Sequence, residues 1–195
     1  MVVGITGGIG SGKSTVAHLF KKFDNVVIYT ADEEAKKLIN TSLTIIEKIK
    51  KHFGEKAYDN GELNRNYLSI QVFNNKDKLD QLNAIVHLEV RTHFLKFSET
   101  HKDKLILYEN AILFEIGNDR FCDFVITVCT EIDERIYRVM KRDGVSKKEV
   151  LARIKNQWRD EKKIMLSNYM IANNYKNSLT LQVDKIHNIL TKKQS

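Results

Sequence analysis

No proline occurs anywhere in this chain. The residue that ends helices and fixes turns is missing, so boundaries must be read from glycine, asparagine and capping residues. Cysteine is nearly absent as well. Cys122 and Cys129 are the only two, their spacing fits no metal motif, and each sits beside or within an apolar run. No disulfide framework is available, and buried thiols in a reducing cytoplasm are expected. No stretch approaches the ~18 consecutive apolar residues of a membrane helix. No basic leader with a cleavage site precedes the first apolar run, so neither a signal peptide nor a membrane partner is expected. Negative charge is in the minority, 25 acidic against 32 basic side chains, for a net +7 at pH 7. Such an excess suits nucleic acid or a small polyanion. The lysines are scattered in pairs such as Lys21-Lys22, Lys50-Lys51 and Lys192-Lys193, with no basic stripe interleaved with aromatics. That pattern favours a solvated surface plus a basic site for a polyanionic small molecule, and no nucleic-acid partner is expected. The oligomeric state is not legible.

What is present is concentrated near the start. Gly7-Gly8-Ile9-Gly10-Ser11-Gly12-Lys13-Ser14-Thr15 fits G-x-x-x-x-G-K-[ST], the phosphate-binding loop of nucleotide hydrolases and kinases. Val2, Val3, Ile5 and Thr6 form a β-rich run before it, and Val16, Ala17, Leu19 and Phe20 follow at helical spacing. Strand, glycine loop and helix is the order in which backbone amides and a helix N-terminus can cradle phosphate. In that motif Lys13 reaches the β/γ-phosphates and the Ser14 hydroxyl holds Mg²⁺. The remaining loop positions, Gly8, Ile9, Gly10, Ser11, Gly12 and Thr15, are expected on the ATP phosphates.

At 195 residues, 42% hydrophobic and 29% charged, the chain has the length and composition of one globular domain. Apolar strand-like runs recur at 2–6, 26–29, 105–108, 124–128 and 169–172, separated by long helical patterns. Runs buried on both faces and alternating with helices predict a parallel five-stranded sheet in a three-layer α/β/α sandwich. Two segments exceed a simple crossover. One, about 33–103, carries Leu68, Val72, Phe73, Leu79, Leu82, Ile85, Val86, Val90, Phe94 and Leu95 at helical spacing, and predicts a helical insertion suited to a second substrate. The other, about 130–165, holds Arg135, Arg138 and Arg142 on one helix face, the turn Asp143-Gly144-Val145 and a capping box at Ser146-Lys147-Lys148-Glu149, and predicts a helical lid. The stretch 178–192 starts at the N-cap candidate Ser178 and carries one apolar stripe, Leu179, Val183, Ile186 and Leu190.

Candidate chemistry follows from placement at strand ends. Asp32 lies just beyond the second run, where a carboxylate could take a hydroxyl proton or serve as a helix-cap residue. Glu109 ends the third run, where such loops place an acid for Mg²⁺. Glu115 could face an acceptor or close a helix end. Arg138 and Arg142 could clamp a transferring phosphoryl group, or form a solvated basic face. His87, in Leu82-Asn83-Ala84-Ile85-Val86-His87, could be structural. Arg65, after the turn signal Asn60-Gly61, could meet a substrate phosphate or a neighbouring glutamate. Trp158 and Tyr169 could be core or adenine-adjacent.

Taken in order, these segments resemble the dephospho-coenzyme A kinase family over nearly the whole chain. The opening from Val3 to Thr15 is similar to that family's phosphate loop. Ala31-Asp32 resembles its Asp-Ala-Asp element, and Asn60-Gly61-Glu62-Leu63-Asn64-Arg65 its Asp-Gly-x-Leu-x-Arg turn. Residues 82–87 resemble a stretch ending in His-Pro, and Ile112-Leu113-Phe114-Glu115 the end of Asp-Val-Pro-Leu-Leu-Phe-Glu. Residues 138–146 resemble its lid, Gln157 the glutamine that follows, and Ile171-Ala172-Asn173-Asn174 its Ile-Asp-Asn-Asn. Thr30, Leu88, Ala111 and Glu109 depart from the pattern, standing for Asp, Pro, Pro and Asp. The resemblance implies a P-loop NTPase fold, ATP and Mg²⁺ as cofactors, and ATP-dependent phosphorylation of the ribose 3′-hydroxyl of dephospho-coenzyme A. It implies Asp32, Lys13 and Arg142 in catalysis and Arg138, Arg142 and Asn174 on the ATP side. Asp32, Arg65, His87 and Glu115 fall on the acceptor side, with Ser14 and Glu109 at the metal. Another P-loop nucleotide or small-metabolite kinase is the alternative. A GTPase is disfavoured because Asn75-Lys76-Asp77-Lys78 lacks the final Asp of Asn-Lys-x-Asp.

Overall fold

The computed structural model describes residues 1–73, 75–174 and 177–194. In chain order its first elements are β1 (Val2–Thr6), α1 (Lys13–Phe20), β2 (Val26–Thr30), α2 (Ala31–Thr41), α3 (Leu43–Phe53), β3 (Tyr58–Asp59), β4 (Glu62–Leu63), α4 (Arg65–Val72) and α5 (Lys76–Thr100). They are followed by β5 (Leu105–Glu109), β6 (Phe124–Cys129), α6 (Ile132–Asp143), α7 (Lys147–Lys155), α8 (Asp160–Leu166), β7 (Tyr169–Ala172) and α9 (Leu179–Gln194). The chain divides into two compact units: Met1–Tyr29 with His101–Ser195, and Thr30–Thr100.

The first unit is built on a five-stranded parallel sheet ordered β2-β5-β1-β6-β7. Pairings such as Ile5 with Glu109, Thr6 with Thr127 and Cys129 with Ala172 bring the carboxyl ends of these strands to one edge. Ligands of open α/β sheets bind outside that edge. Val3, Ile5, Leu105, Leu107, Ile126, Val128 and Ile171 face a core completed by Val16, Ala17 and Phe20 of α1 and by Val183, Ile186 and Leu190 of α9. Each such side chain contributes roughly 1.5–3 kcal/mol by leaving water. Alternate strand residues Ile106, Tyr108 and Val125 are buried too. That is why the strands read as continuous apolar runs rather than alternating ones. The stripe expected along the last helix is the one that packs. The helical layers give the three-layer α/β/α arrangement anticipated from the sequence.

The second unit is helical around a small hairpin. Ile45, Ile49 and Phe53 of α3 pack with Ala57, Leu68 and Ile85. Asn60 and Gly61 both have positive φ, 48° and 84°, the backbone of a two-residue hairpin turn. Ser42 caps α3 by accepting from the Ile45 amide, and Asn64 caps α4 by accepting from the Tyr67 amide. Leu79 and Leu95, included in the expected apolar face, are 40% and 41% exposed; Ile85, Val86, Val90 and Phe94 carry the buried positions of α5. The charged segment of the first unit forms α6, α7 and α8. α6 ends on Gly144 with φ 66°, and Ser146 and Glu149 form the expected reciprocal cap of α7.

Candidate active site

The loop after β1 needs its glycines for two reasons. Gly10 and Gly12 have φ of 79° and 92°, which side chains with a Cβ rarely adopt. A Cβ on Gly8 would also run into the Arg135 guanidinium, and one on Gly12 into the Asn173 amide. The loop then delivers Lys13 as the first residue of α1. Lys13 is 9% exposed, and its Nζ donates to the Gly7 and Gly8 carbonyls at 3.0 and 3.3 Å. The ammonium therefore sits on the loop itself, beside the α1 N-terminus, where cationic charge and open amides favour an anion.

Ser14 Oγ donates to Glu109 Oε1 at 2.6 Å. The loop hydroxyl and the carboxylate at the end of β5 thus meet although 95 residues separate them. A hydroxyl and one acid beside a phosphate cradle suit Mg²⁺, which keeps several waters and takes phosphate oxygens. Among the described residues no group of three His, Cys, Asp or Glu could cage a metal alone. The donor set therefore fits an ion shared with a nucleotide.

The loop is gripped from behind. Arg135 Nε donates to the Ile9 carbonyl at 3.0 Å, and Arg135 NH1 pairs with Asp160 Oδ2 at 2.9 Å. Gln157 Oε1 accepts from the Ile9 amide at 2.8 Å. The Ser11 carbonyl accepts from both Thr130 Oγ1 and Asn173 Nδ2 at 2.8 Å. Arg135 is only 6% exposed. Although it shares a helix face with Arg138 and Arg142, it is a buried support for the loop.

A cavity of about 510 Å³ lies over Gly10 and residues 12–15, with Arg138, Arg142 and Asn173 in its wall. That volume suits a small-molecule site. Arg138 pairs with Glu134 at 2.8 Å, and Arg142 with Asp143 at 2.7 Å. Asn174 lies in the wall of a second cavity of about 580 Å³, with Cys129, Trp158 and Asp160. Trp158 lines that cavity under the Lys162 ammonium, 3.2 Å from its ring centroid. Tyr169 packs on the sheet core against Phe124. Both cysteines are unbridged, and burial pushes each thiol up to about 12.

Glu115 has structural partners. Its Oε1 accepts from the Trp158 amide and from Lys163 Nζ, both at 2.9 Å. Lys163 is completely buried and also donates to the Ala111 carbonyl at 2.6 Å. The remaining expected residues belong to the second unit. Asp32 is exposed in the first turn of α2, one residue inside the helix, so the capping position is Thr30. Arg65 opens α4 in an exposed position. His87, on α5, is held below the ordinary histidine range by burial and by Arg91, with Asp32 pulling the other way.

Asp160, Thr130 and Lys163 had no role in the sequence reading, and Arg135 entered it only on the basic face of the lid helix. Only Gln157 and the Asn173-Asn174 pair carried a signal, through the family resemblance.

Comparison with known proteins places the chain in a family. The family model for dephospho-CoA kinase (CoaE) matches residues 1–178. A dephospho-CoA kinase of Fusobacterium nucleatum is 37% identical over 176 residues, 89% of this chain and 90% of that protein. A crystal structure from Thermus thermophilus superposes with a TM-score of 0.83 at 31% identity, covering 100% of this chain and 98% of that one. A dephospho-CoA kinase from Campylobacter jejuni gives 0.72 at 25% identity, covering 100% and 98%.

Proposed function

The chain belongs to the dephospho-CoA kinase family, and we propose that its phosphate loop and α6 arginines hold ATP while the helical unit holds the acceptor. The enzyme catalyses ATP-dependent phosphorylation of dephospho-coenzyme A to coenzyme A, the last step of that synthesis. The observation that carries the site assignment is the meeting of Lys13, Ser14 and Glu109 at the loop, with the Ser14–Glu109 contact at 2.6 Å.

In this assignment the loop amides of residues 8–15 and the Lys13 ammonium bind the β- and γ-phosphates, Lys13 leaving the Gly7 and Gly8 carbonyls to do so. Ser14 and Glu109 would hold Mg²⁺, which neutralises phosphate charge when bound. Arg138 and Arg142 turn toward the γ-phosphoryl and stabilise its oxygens as charge spreads over them. Residues 130–165 act as the lid that excludes water, so that ATP is transferred and not hydrolysed. Asp32 accepts the proton of the ribose 3′-hydroxyl as its oxygen attacks phosphorus. Arg65 and His87 belong to the acceptor side. His87, kept neutral by its surroundings, can hydrogen-bond the acceptor without adding charge. Asn174 is assigned to the adenosine end of ATP, and Glu115 to the scaffold that borders the acceptor.

Asp32→Asn tests the assignment, because it keeps the side chain's size and removes the base. Loss of a positioned general base costs about 10²–10⁴-fold in rate. ATP affinity measured by calorimetry should stay close to wild type, while ADP release with dephospho-coenzyme A collapses. Turnover near wild type would remove Asp32 from the role. An ADP-release panel of alternative acceptor alcohols checks the substrate class in the same assay.

A further inference from the structure

We infer that Gln157 is a positioning residue for phosphoryl transfer: it fixes the Ile9 peptide, and through it ties the phosphate loop to the segment that follows α7. The inference rests on the kinase reading above. Ile9 is held on both sides: its amide, in the Gly8–Ile9 peptide, by Gln157 Oε1 at 2.8 Å, and its carbonyl, in the Ile9–Gly10 peptide, by Arg135 Nε at 3.0 Å. Asp160, three residues beyond Gln157, holds Arg135 in turn at 2.9 Å. Gln157 in the connector, and Asp160 at the start of α8 acting through Arg135, thus hold the two peptides that flank Ile9, which is 148 residues away in sequence from Gln157.

The next residue fastens the same connector elsewhere. The Trp158 amide donates to Glu115 at 2.9 Å, in the segment that follows β5 and Glu109. Consecutive residues therefore reach the two walls that supply the phosphate cradle and the acid. The Gln157 amide itself donates to the Ile154 carbonyl in the last turn of α7. Any displacement of α7 is thereby passed to Ile9. A glutamine oxygen suits this task. It accepts from a backbone amide with either lone pair. Ile9 is also the residue between the two glycines packed on Arg135, Gly8 and Gly10. Rotation of its peptide would tilt the flanking amides away from the phosphate oxygens.

The test compares Gln157→Met, which keeps length and loses the acceptor, with Gln157→Glu, which keeps the acceptor and adds charge. In Gln157→Met, kcat/KM for ATP should fall about 10- to 100-fold, the scale of small misplacements in a reacting site. KM for dephospho-coenzyme A should stay within about twofold, since the loop holds the other substrate. Gln157→Glu should recover most of the lost kcat/KM. Hydrogen exchange at the Ile9 amide gives a readout independent of activity: slow in wild type and Gln157→Glu, and at least about tenfold faster in Gln157→Met. Gln157→Ala serves if the Met variant does not fold, with the same expectations. Unchanged Ile9 exchange, an unchanged kcat/KM for ATP, or an equal loss in Gln157→Glu overturns the inference. Failure of the wild-type enzyme to phosphorylate the acceptor would instead overturn the kinase reading.

Discussion

Lys163→Met is the most informative perturbation of the scaffold. Lys163 is completely buried, and its ammonium meets Ala111 O at 2.6 Å and Glu115 Oε1 at 2.9 Å. Methionine keeps most of the buried stem, so little apolar contact is lost. What changes is charge. Glu115 would remain almost buried, with the Trp158 amide against Oε1; its Oε2 already has no hydrogen-bond partner among the described residues. Removing one partner of a buried ion pair costs about 3–5 kcal/mol. The Ala111 carbonyl keeps Thr6 Oγ1 as a donor at 3.4 Å, so it adds little. For a chain of this size each kcal/mol moves Tm by about 2–4 °C, so a fall of roughly 6–20 °C is expected.

The second arm is Lys163→Met combined with Glu115→Gln. The neutral amide oxygen can still accept from the Trp158 amide, and the uncompensated charge is gone. The double variant should be more stable than Lys163→Met alone by about 2 kcal/mol, within the range of coupling between contacting residues. Urea unfolding at constant m separates this from a change in the unfolded chain. Kinetics of the double variant then choose between the two readings of Glu115. A scaffold carboxylate predicts an unchanged KM for dephospho-coenzyme A; one that touches the acceptor predicts a raised KM. A Lys163→Met variant within 1 kcal/mol of wild type, or a double variant no more stable than the single, would refute the reasoning.

Two further outcomes follow from the same geometry. Gly12→Ala combines a left-handed backbone with a clash against Asn173, so ATP affinity should fall about 100-fold or more; near-normal nucleotide titration would count against the loop's role. His187 lies against Phe23, with ring centroids 3.5 Å apart, and its Nε2 meets Asn25 Oδ1 at 3.1 Å. Burial holds it below its ordinary range, against an opposing pull from Asp184 and with a lesser contribution from Lys22. The unfolded chain therefore takes the proton first. The stability of the neutral ring is present above about pH 6.5 and declines as pH falls below that value. Tm of wild type should drop more between about pH 7 and pH 5 than Tm of His187→Phe; an equal or smaller drop would reverse the sign. His87 adds to the slope in both proteins, so only the difference is diagnostic.

What could be read from the sequence is what lies together in it. The glycines, Lys13 and Ser14 are consecutive, and β1, β5 and β6 are each one apolar run buried on both faces. The cap at Ser146 and Glu149 and the stripe on α9 are local in the same sense. The supports of the loop were illegible for a different reason. Arg135 and Lys163 sit in charged stretches that read as solvated helix faces, and their burial depends on partners far along the chain. Arg135 meets Ile9 across 126 residues, and Lys163 meets Ala111 across 52. Charge pattern gives the type of side chain at a position and not the dielectric around it.

The division of residues between units has a kinetic consequence. The phosphate loop, Ser14, Glu109, Arg138 and Arg142 all belong to the sheet unit, and Asp32, Arg65 and His87 all belong to the helical one. If the first group holds ATP and the second the acceptor, substitutions should split into two classes. Lys13→Met and Arg142→Ala should weaken ATP in calorimetry done without acceptor. Arg65→Ala and His87→Ala should leave that titration unchanged and raise KM for dephospho-coenzyme A. Asp32→Asn should move neither binding constant and act on kcat, because a proton acceptor is used only as the oxygen attacks. A helical-unit variant that weakened ATP as much as the acceptor would show that the two substrates share contacts, and the assignment of one substrate to each unit would fail.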